Sequence, residues 1–279
     1  MALPIDDVLP RLIGALDTAG RAVLQAPPGA GKTTGVPPAL LAAGAVGRIV
    51  MLEPRRLAAR AAAERMAEML GEGCGETVGY RIRGEAKVSD ATRIEVVTEG
   101  ILTRMVQDAP DLPGIGTVIF DEFHERSLNA DLGLALTWEA REALRPDLRI
   151  LVMSATLDAA PVAEMLDAAP MISSEGRAYP VETRWLDRAP GPDTRWDAAM
   201  ADLILRAMCE SDGSCLAFLP GEAEIRRVAR LVAPRLPCDV HVRPLYGALP
   251  FAEQRAAIRP EPAGRKLVLE TGRMAKQSA

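Results

Sequence analysis

The chain has 279 residues, of which 48% are hydrophobic and 25% are charged, and its formal net charge is −5 at pH 7. These proportions are typical of a soluble globular protein with one large or two smaller domains, and no apolar run approaches the roughly 18 residues that a membrane-spanning helix needs. Because the chain is acidic overall, any binding of nucleic acid must come from local basic patches rather than from its total charge.

The N-terminal segment MALPIDDVLPRL does not resemble an export signal, because it carries acids where such a signal needs a basic start. The cysteines (Cys74, Cys209, Cys215 and Cys238) form no C-x-x-C pair, which indicates neither a zinc site nor a disulfide framework. We therefore expect a cytoplasmic protein with reduced thiols and without a membrane anchor.

Short apolar segments alternate with alanine-rich helical segments along the first two thirds of the chain. We predict helices over residues 55–70 and 130–144, and strands over residues 22–25, 48–53, 94–98, 117–121, 150–154 and 181–186. Since these apolar segments are continuous, they are typical of strands that are covered on both faces. The predicted fold class is therefore α/β, with a parallel sheet that has helices on both faces.

The Pro- and Gly-rich segment DRAPGPDTR at residues 187–195 predicts a linker. A second alternation follows it, with helices predicted over residues 197–209 and 222–232 and strands over residues 214–219, 240–244 and 266–270. Three strands make a thin sheet, so we expect the second unit to be incomplete. The predicted organisation is a first domain over residues 1–186, a linker over 187–195 and a partial second domain over 196–279.

The segment VLQAPPGAGKTTG at residues 23–35 is similar to the phosphate-loop template G-x-x-x-x-G-K-[ST], although Ala26 replaces the first glycine. We expect Lys32 to reach the β- and γ-phosphates, the Thr33 hydroxyl to bind Mg²⁺, and a helix to begin at about Lys32. The residues predicted to hold the nucleotide are Pro28, Gly29, Ala30, Gly31, Lys32, Thr33 and Thr34. Taken alone, the segment is also compatible with a Gly- and Pro-rich turn that simply precedes a helix.

A second segment, TVIFDEFHER at residues 117–126, places two acids directly after a predicted strand. The carboxyl ends of parallel strands face the ligand crevice of an α/β sheet, so we expect Asp121 and Glu122 to face the phosphate loop. Asp121 would hold Mg²⁺ through a water, and Glu122 would orient and deprotonate the attacking water. An acidic strand-to-loop turn is the alternative, but the two segments together in one α/β alternation favour an ATPase.

The residues DEFH at 121–124 resemble the DEAH signature of superfamily 2 ATP-dependent helicases, with phenylalanine in the third place. Further segments resemble motifs of that family in the family's order: LEPRRLAAR (52–60, motif Ia), TEGIL (98–102, Ib), SAT (154–156, III) and FLPGEAEI (218–225, IV). The segments VGYRIRGE (78–85) and PLYGALP (244–250) are also similar, and the opening and the phosphate loop most resemble the bacterial HrpB type. The resemblance extends over about residues 3–271. It implies a RecA-like ATP-binding lobe followed by a truncated second RecA-like lobe.

The resemblance also implies roles for individual residues and makes ATP and Mg²⁺ the expected cofactors. His124 would act as a relay between the γ-phosphate site and the hydroxyls of Ser154 and Thr156. The partner would be single-stranded nucleic acid, RNA more than DNA. The residues that would contact its backbone are Arg55, Arg56, Thr98 and Gly100.

Two features depart from the family pattern. After the predicted strand 266–270 the chain continues as TGRMAKQSA rather than with a motif V of the form T-N-I-A-E-T-S, and no segment matches the arginines of motif VI. An arginine finger contributes about 10³–10⁵ in rate, so we expect nucleotide binding with slow hydrolysis and impaired unwinding. Two alternatives stay open at this point: a P-loop ATPase that acts on protein, and a non-catalytic nucleotide-binding module. The sequence predicts no oligomeric state.

Overall fold

The computed structural model of the chain describes residues 3–155, 160–175, 180–186, 189–191 and 194–271. The chain divides into two compact units, Met1–Pro180 and Val181–Ala279. Four residues of the predicted linker (187, 188, 192 and 193) lie outside the described residues. Among the residues that are described, no helix has the length and apolar character needed to cross a bilayer.

The first unit is built on one sheet, in which the described residues form eight strands. The strands are β1 (Arg21–Gln25), β2 (Arg48–Leu52), β3 (Val78–Ile82), β4 (Glu85–Lys87), β5 (Ile94–Val97), β6 (Ile115–Phe120), β7 (Arg149–Ser154) and β8 (Met171–Ser173). Their order across the sheet is β4-β3-β5-β2-β6-β7-β1-β8, and every neighbouring pair is parallel except β3 with β4. A parallel sheet of this kind needs helical connections, which the sequence supplies between its strands.

In the described residues, six helices cover the two faces of this sheet: α1 (Leu9–Ala19), α2 (Lys32–Ala42), α3 (Arg56–Leu70), α4 (Glu99–Asp108), α5 (Leu128–Ala143) and α6 (Ala160–Met165). Alternate residues of each central strand point to opposite faces, so Ile119 packs with α1, α2 and α3 while Val118 packs with α4, α5 and α6. Both residues are fully buried. This two-sided burial explains why the strands are continuous apolar segments, and it confirms the predicted α/β class with helices on both faces.

The second unit contains a smaller parallel sheet. Its described strands are β9 (Cys215–Leu219), β10 (Val240–Leu245) and β11 (Arg265–Thr271), in the order β10-β11-β9. Its helices are α7 (Trp196–Glu210), α8 (Glu222–Val232) and α9 (Phe251–Ile258). Ile225 and Val228 of α8 are fully buried against Leu267 and Leu269 of β11, which gives this unit an apolar core of its own.

One predicted strand is wrong. Residues 181–186 form no strand, and Val181 and Trp185 are 89% and 87% exposed. Val181, Trp185 and Leu186 of this segment are apolar, but no strand among the described residues pairs with it, and an unpaired strand has no hydrogen bonds to hold it. The other predicted strands are confirmed within one or two residues at each end. The residues after Thr271, which depart from the family's motif V, lie outside the described part of the chain.

Candidate active site

The phosphate loop connects the end of β1 to the start of α2. Gly29 and Gly31 have φ values of 78° and 92°, in the left-handed region that glycine adopts without strain. Gly31 occupies the N-cap position of α2, and the helix begins at Lys32 as predicted. Ala26 in place of the first template glycine is tolerated, because its backbone is not left-handed and its N–H donates to the carbonyl oxygen of Ser154 at 3.0 Å.

The acids that follow β6 meet the lysine and threonine of this loop. The Thr33 hydroxyl donates to Asp121 Oδ2 at 2.5 Å, and Lys32 Nζ lies 2.7 Å from Glu122 Oε1. Lys32 and Asp121 are 4% and 1% exposed, so both contacts are shielded from water on at least one side. Residues almost ninety positions apart in sequence therefore form one polar cluster, as the two segments together predict.

Glu122 and His124 extend this cluster toward β7. Glu122 has φ 50° and begins a 3₁₀ turn (Phe123–Glu125), and this left-handed backbone is an unfavourable conformation for a residue with a side chain. Its Oε2 lies 3.3 Å from His124 Nε2, while His124 Nδ1 accepts from the backbone N–H of Ala155 at 3.3 Å. In this arrangement the imidazole proton is on Nε2. The ring thus connects the acid beside Lys32 to the residue directly after Ser154; Ser154 itself is 6% exposed and Thr156 lies outside the described residues.

Negative charge accumulates at this end of the sheet. Burial and the neighbouring Glu122 raise the pKa of Asp121 to about 6, against the opposing effects of Lys32 and the Thr33 hydrogen bond. Burial, followed by the charges of Asp121 and Glu122, raises the pKa of Glu53 well above its usual range, although Arg55 acts in the opposite direction. Three carboxyl groups therefore lie close together here, with Lys32 beside Asp121 and Glu122 and with Arg55 near Glu53.

Glu53 is a site residue that our sequence reasoning missed. It directly follows β2, whose neighbour β6 ends at Phe120, and the N–H of Asp121 donates to Leu52 O at 3.0 Å. Glu53 is 4% exposed. The signal was available in the sequence, because an acid at the carboxyl end of a predicted strand is the same pattern that identified Asp121.

The donor set fits Mg²⁺. The Thr33 hydroxyl and the Asp121 carboxylate are hard oxygen ligands, and the raised pKa of Asp121 reflects buried negative charge that a divalent cation would neutralise. Within the described residues, no three His, Cys, Asp or Glu side chains form a metal cage by themselves. That result is compatible with Mg²⁺ at a phosphate loop, because this ion usually takes one or two protein ligands and completes its shell with phosphate and water.

The predicted nucleic-acid contacts lie at the carboxyl ends of β2 and β5, which are neighbours in the sheet. Arg56 is exposed at the first position of α3, Thr98 is the N-cap of α4, and Gly100 is exposed in the first turn of α4. A Cβ on Gly100 would meet nothing within 4 Å, so its backbone is open to a ligand. Their binding of nucleic acid stays a prediction.

Arg55, the fourth predicted nucleic-acid contact, is less exposed than Arg56 and Gly100 and is held by an ion pair. Its Nη2 lies 2.5 Å from Glu125 Oε1, and its guanidinium is only 25% exposed. The arginine therefore binds the segment that also carries Glu122 and His124. It joins the loop after β2 to the loop after β6, a connection that the sequence did not predict.

Three comparisons relate the chain to known proteins. A family model described as DEAD/DEAH box helicase matches residues 8–165. The ATP-dependent RNA helicase HrpB of Escherichia coli (strain K12) is 53% identical over 273 residues, which cover 97% of this chain and 33% of that protein. The ATP-dependent RNA helicase HrpA of the same organism is 35% identical over 274 residues, covering 96% of this chain and 21% of that protein.

The fold is also similar to that of HrpB. A crystal structure of the Escherichia coli DEAH/RHA helicase HrpB matches with a TM-score of 0.91 and 51% identity, covering 99% of this chain and 35% of that one. The chain thus spans about a third of the length of HrpB and about a fifth of HrpA. The similarity supports a RecA-like helicase fold for the parallel sheet described above.

We predict that Asp121→Asn stabilises the nucleotide-free protein. The folded-state pKa of Asp121 is raised from 3.8 to about 6, so the carboxylate lowers stability as the pH rises through this interval. The asparagine retains an acceptor for Thr33 without the charge. Urea unfolding should show an advantage for the variant that grows by about 1 kcal/mol between about pH 5 and 7.5.

Asp90→Asn is the matched control, because Asp90 is an exposed acid of the same unit. It should leave the unfolding curve unchanged at both pH values. An Asp121→Asn protein that is less stable than the wild type at the higher pH would contradict this account of the site.

Proposed function

Because the chain belongs to the DEAD/DEAH box helicase family, we propose that its first unit binds Mg-ATP and that it couples ATP hydrolysis to movement on single-stranded RNA. The observation that carries the proposal is the convergence of Lys32 and Thr33 on Glu122 and Asp121. A phosphate-binding loop after β1 that meets two carboxylates after β6, a parallel strand of the same sheet, is the arrangement that phosphoryl transfer to water requires.

Lys32 forms an ion pair with Glu122, and a phosphate group would compete with this carboxylate for the ammonium. An ATP molecule would take the Lys32 ammonium for its β- and γ-phosphates, aided by the N–H groups at the start of α2. Glu122 would then lose its ion-pair partner and be available to accept a proton from the attacking water. Thr33 and Asp121 would hold Mg²⁺, which neutralises phosphate charge when it is bound.

When phosphate replaces Glu122 as the partner of Lys32, we expect His124 to transmit the change to β7. Its ring lies between Glu122 Oε2 and the backbone N–H of Ala155, at 3.3 Å from each. A movement of Glu122 away from Lys32 would change the first of these contacts and so alter the position of the second. Ser154, at the end of β7, and Thr156 are the hydroxyl residues that we expect to respond.

RNA as the preferred substrate is supported by the names of HrpB and HrpA, both of which are ATP-dependent RNA helicases. Arg56, Thr98 and Gly100 would contact the phosphate backbone, which positions a strand without reading its sequence. Arg55, which binds Glu125, would connect this surface to the catalytic segment. The cytoplasmic location expected from the sequence is compatible with such a substrate and stays a prediction.

We expect slow turnover from the 279 residues alone. They contain no segment that matches the arginines of motif VI, and an arginine finger contributes about 10³–10⁵ in rate. Nucleotide binding is therefore a more direct test of the site than steady-state hydrolysis.

Lys32→Ala should reduce the affinity for Mg-ATP by at least about 100-fold, because the buried ammonium is the cation that faces the phosphates. Titration calorimetry measures this directly. Lys87→Ala is the matched control, since Lys87 is an exposed lysine of the same unit. Equal affinities for the two variants would refute the assignment of Lys32.

Glu122→Gln should keep or slightly increase the affinity for ATP and lower single-turnover hydrolysis by at least about 100-fold. The amide retains the shape of the side chain, releases Lys32 from its ion pair and loses the base. Glu139→Gln, at an exposed position of α5, should behave as the wild type. Normal hydrolysis in Glu122→Gln would mean that another residue is the base.

Single-stranded RNA should increase the rate of ATP hydrolysis several-fold, and single-stranded DNA of the same sequence should do so less. Arg56→Glu should lower the apparent affinity for RNA because it replaces an expected phosphate contact with a like charge. Measured in excess enzyme, hydrolysis that is insensitive to RNA would instead favour an ATPase that acts on protein.

A further inference from the structure

A second cleft lies on the first unit, bordered by α4, by the loop over residues 109–114 and by the first residues of β2 and β6. Its volume is about 530 Å³, which is within the range of small-molecule sites. Ile115, which lines it, precedes Asp121 by six residues along β6. At about 3.3 Å per residue, the cleft is therefore roughly 20 Å from the catalytic carboxylates.

Arginines form the polar wall of this cleft. Arg48, Arg81 and Arg104 line it, and the first two are held by one carboxylate. Arg48 Nη1 lies 2.8 Å from Glu95 Oε2, and Arg81 Nε lies 2.7 Å from Glu95 Oε1. Glu95 is completely buried, so its two oxygens fix the positions of both guanidinium groups from behind.

These arginines retain hydrogen-bonding capacity. Arg48 Nη2 and both Nη atoms of Arg81 make no hydrogen bond within the described residues, and their side chains are 32% and 41% exposed. Arg104 is exposed, and its side chain forms no ion pair or hydrogen bond with the part of the chain that is described. Several N–H donors therefore face the cleft without a protein acceptor.

The charge balance of the cleft favours an anion. Asp108 is the acid that lines the cleft together with the three arginines, and Glu95 lies behind them. Three guanidinium groups against these two carboxylates leave one net positive charge. Asp108 follows Arg104 by four residues on α4, yet the two do not form an ion pair within 4 Å, so Arg104 is free to bind a ligand.

Apolar side chains also line the cleft. They are Ile101 and Met105 of α4 together with Leu112, Pro113 and Ile115. Leu112 and Ile115 are buried, and the other apolar side chains are partly or fully exposed. Such a surface suits the flat face of a ring, because the methionine thioether and the guanidinium planes both pack favourably on aromatic groups.

We propose that this cleft binds a phosphate monoester attached to a planar body, such as a nucleoside 5′-monophosphate. The phosphate oxygens would be held in forked geometry by the free Nη groups of Arg81 and Arg48 and by Arg104. The ring would lie on the partly exposed Met105. The same chemistry is present in a free mononucleotide and in the 5′-phosphorylated end of an RNA strand.

The test measures binding of radiolabelled AMP to the full 279-residue chain by equilibrium dialysis. The Lys32→Ala background is used so that the phosphate loop contributes little to the signal. Arg104→Glu should weaken AMP binding at least tenfold, and Asp108→Asn should strengthen it several-fold by removing a repulsive charge. Arg11→Glu makes the same charge change at an exposed position on α1, on the other face of the sheet, and should leave binding unchanged.

Further ligands test the chemistry and separate its sources. Adenosine should bind at least tenfold more weakly than AMP. A 5′-phosphorylated RNA trinucleotide that binds at least tenfold more tightly than AMP, and loses this affinity in Arg104→Glu, identifies an RNA end as the ligand. Equal affinities of the trinucleotide and AMP identify a free mononucleotide. Either result supports binding at the cleft, whereas tight trinucleotide binding that is unchanged in Arg104→Glu counts against it.

The proposal is overturned if AMP does not bind, if adenosine binds equally well, or if Arg104→Glu and Arg11→Glu have the same effect. None of these outcomes depends on hydrolysis or on stimulation by RNA. A result that overturns ligand binding at the cleft can therefore be distinguished from a result that overturns the proposed function.

Discussion

The first unit depends on how it balances charges that are removed from water. Lys32 is 4% exposed, and its ammonium group is 2.7 Å from Glu122, while Asp121 and Glu53 lie buried beside this pair. Burial and the charge of the neighbouring Glu122 raise the pKa of Asp121 to about 6, against the opposing effect of Lys32. The site therefore concentrates negative charge that Mg²⁺ would relieve. A site of this kind is less stable than a neutral one, and the same instability favours binding of the metal with its nucleotide.

The topology of the sheet explains how these charges come together. In the order β6-β7-β1, the strand β7 lies between the strand that leads into DEFH and the strand that leads into the phosphate loop. All three are parallel, so the segments that follow them leave from one edge of the sheet. Ala26 continues this pattern by donating its N–H to Ser154 O. Substitution of the first template glycine is harmless here, because the residue extends a strand and does not turn the chain.

The sequence predicted the central features of the site for a physical reason: each one depends on local chemistry. The glycines at positive φ, the helix that begins at Lys32 and the acids after β6 are all encoded within a few residues of the feature itself. Most of the errors and omissions concern relations between distant segments, whereas Glu53 was missed although its position at the end of a strand is a local signal. Residues 181–186 have no strand partner among the described residues, and Arg55 binds Glu125, seventy residues away. The arginine-lined cleft could not be predicted either, since its width depends on how α4 and the loop 109–114 pack against the sheet.

The ion pair between Arg55 and Glu125 is a further contact between the segment over residues 121–125 and the rest of the first unit. Glu122, His124 and Glu125 lie within one short turn, and each contacts a different part of the unit: Lys32 of the phosphate loop, Ala155 after β7 and Arg55 after β2. A turn of four residues cannot shift one of these contacts greatly without affecting the others, because its backbone has few degrees of freedom and Glu122 already has a left-handed φ of 50°. If Lys32 exchanged Glu122 for a phosphate, the turn would shift. The contact between Glu125 and Arg55, which is next to the exposed Arg56, would then change as well. The proposed effect of nucleotide on the surface that is expected to hold RNA would pass through this contact.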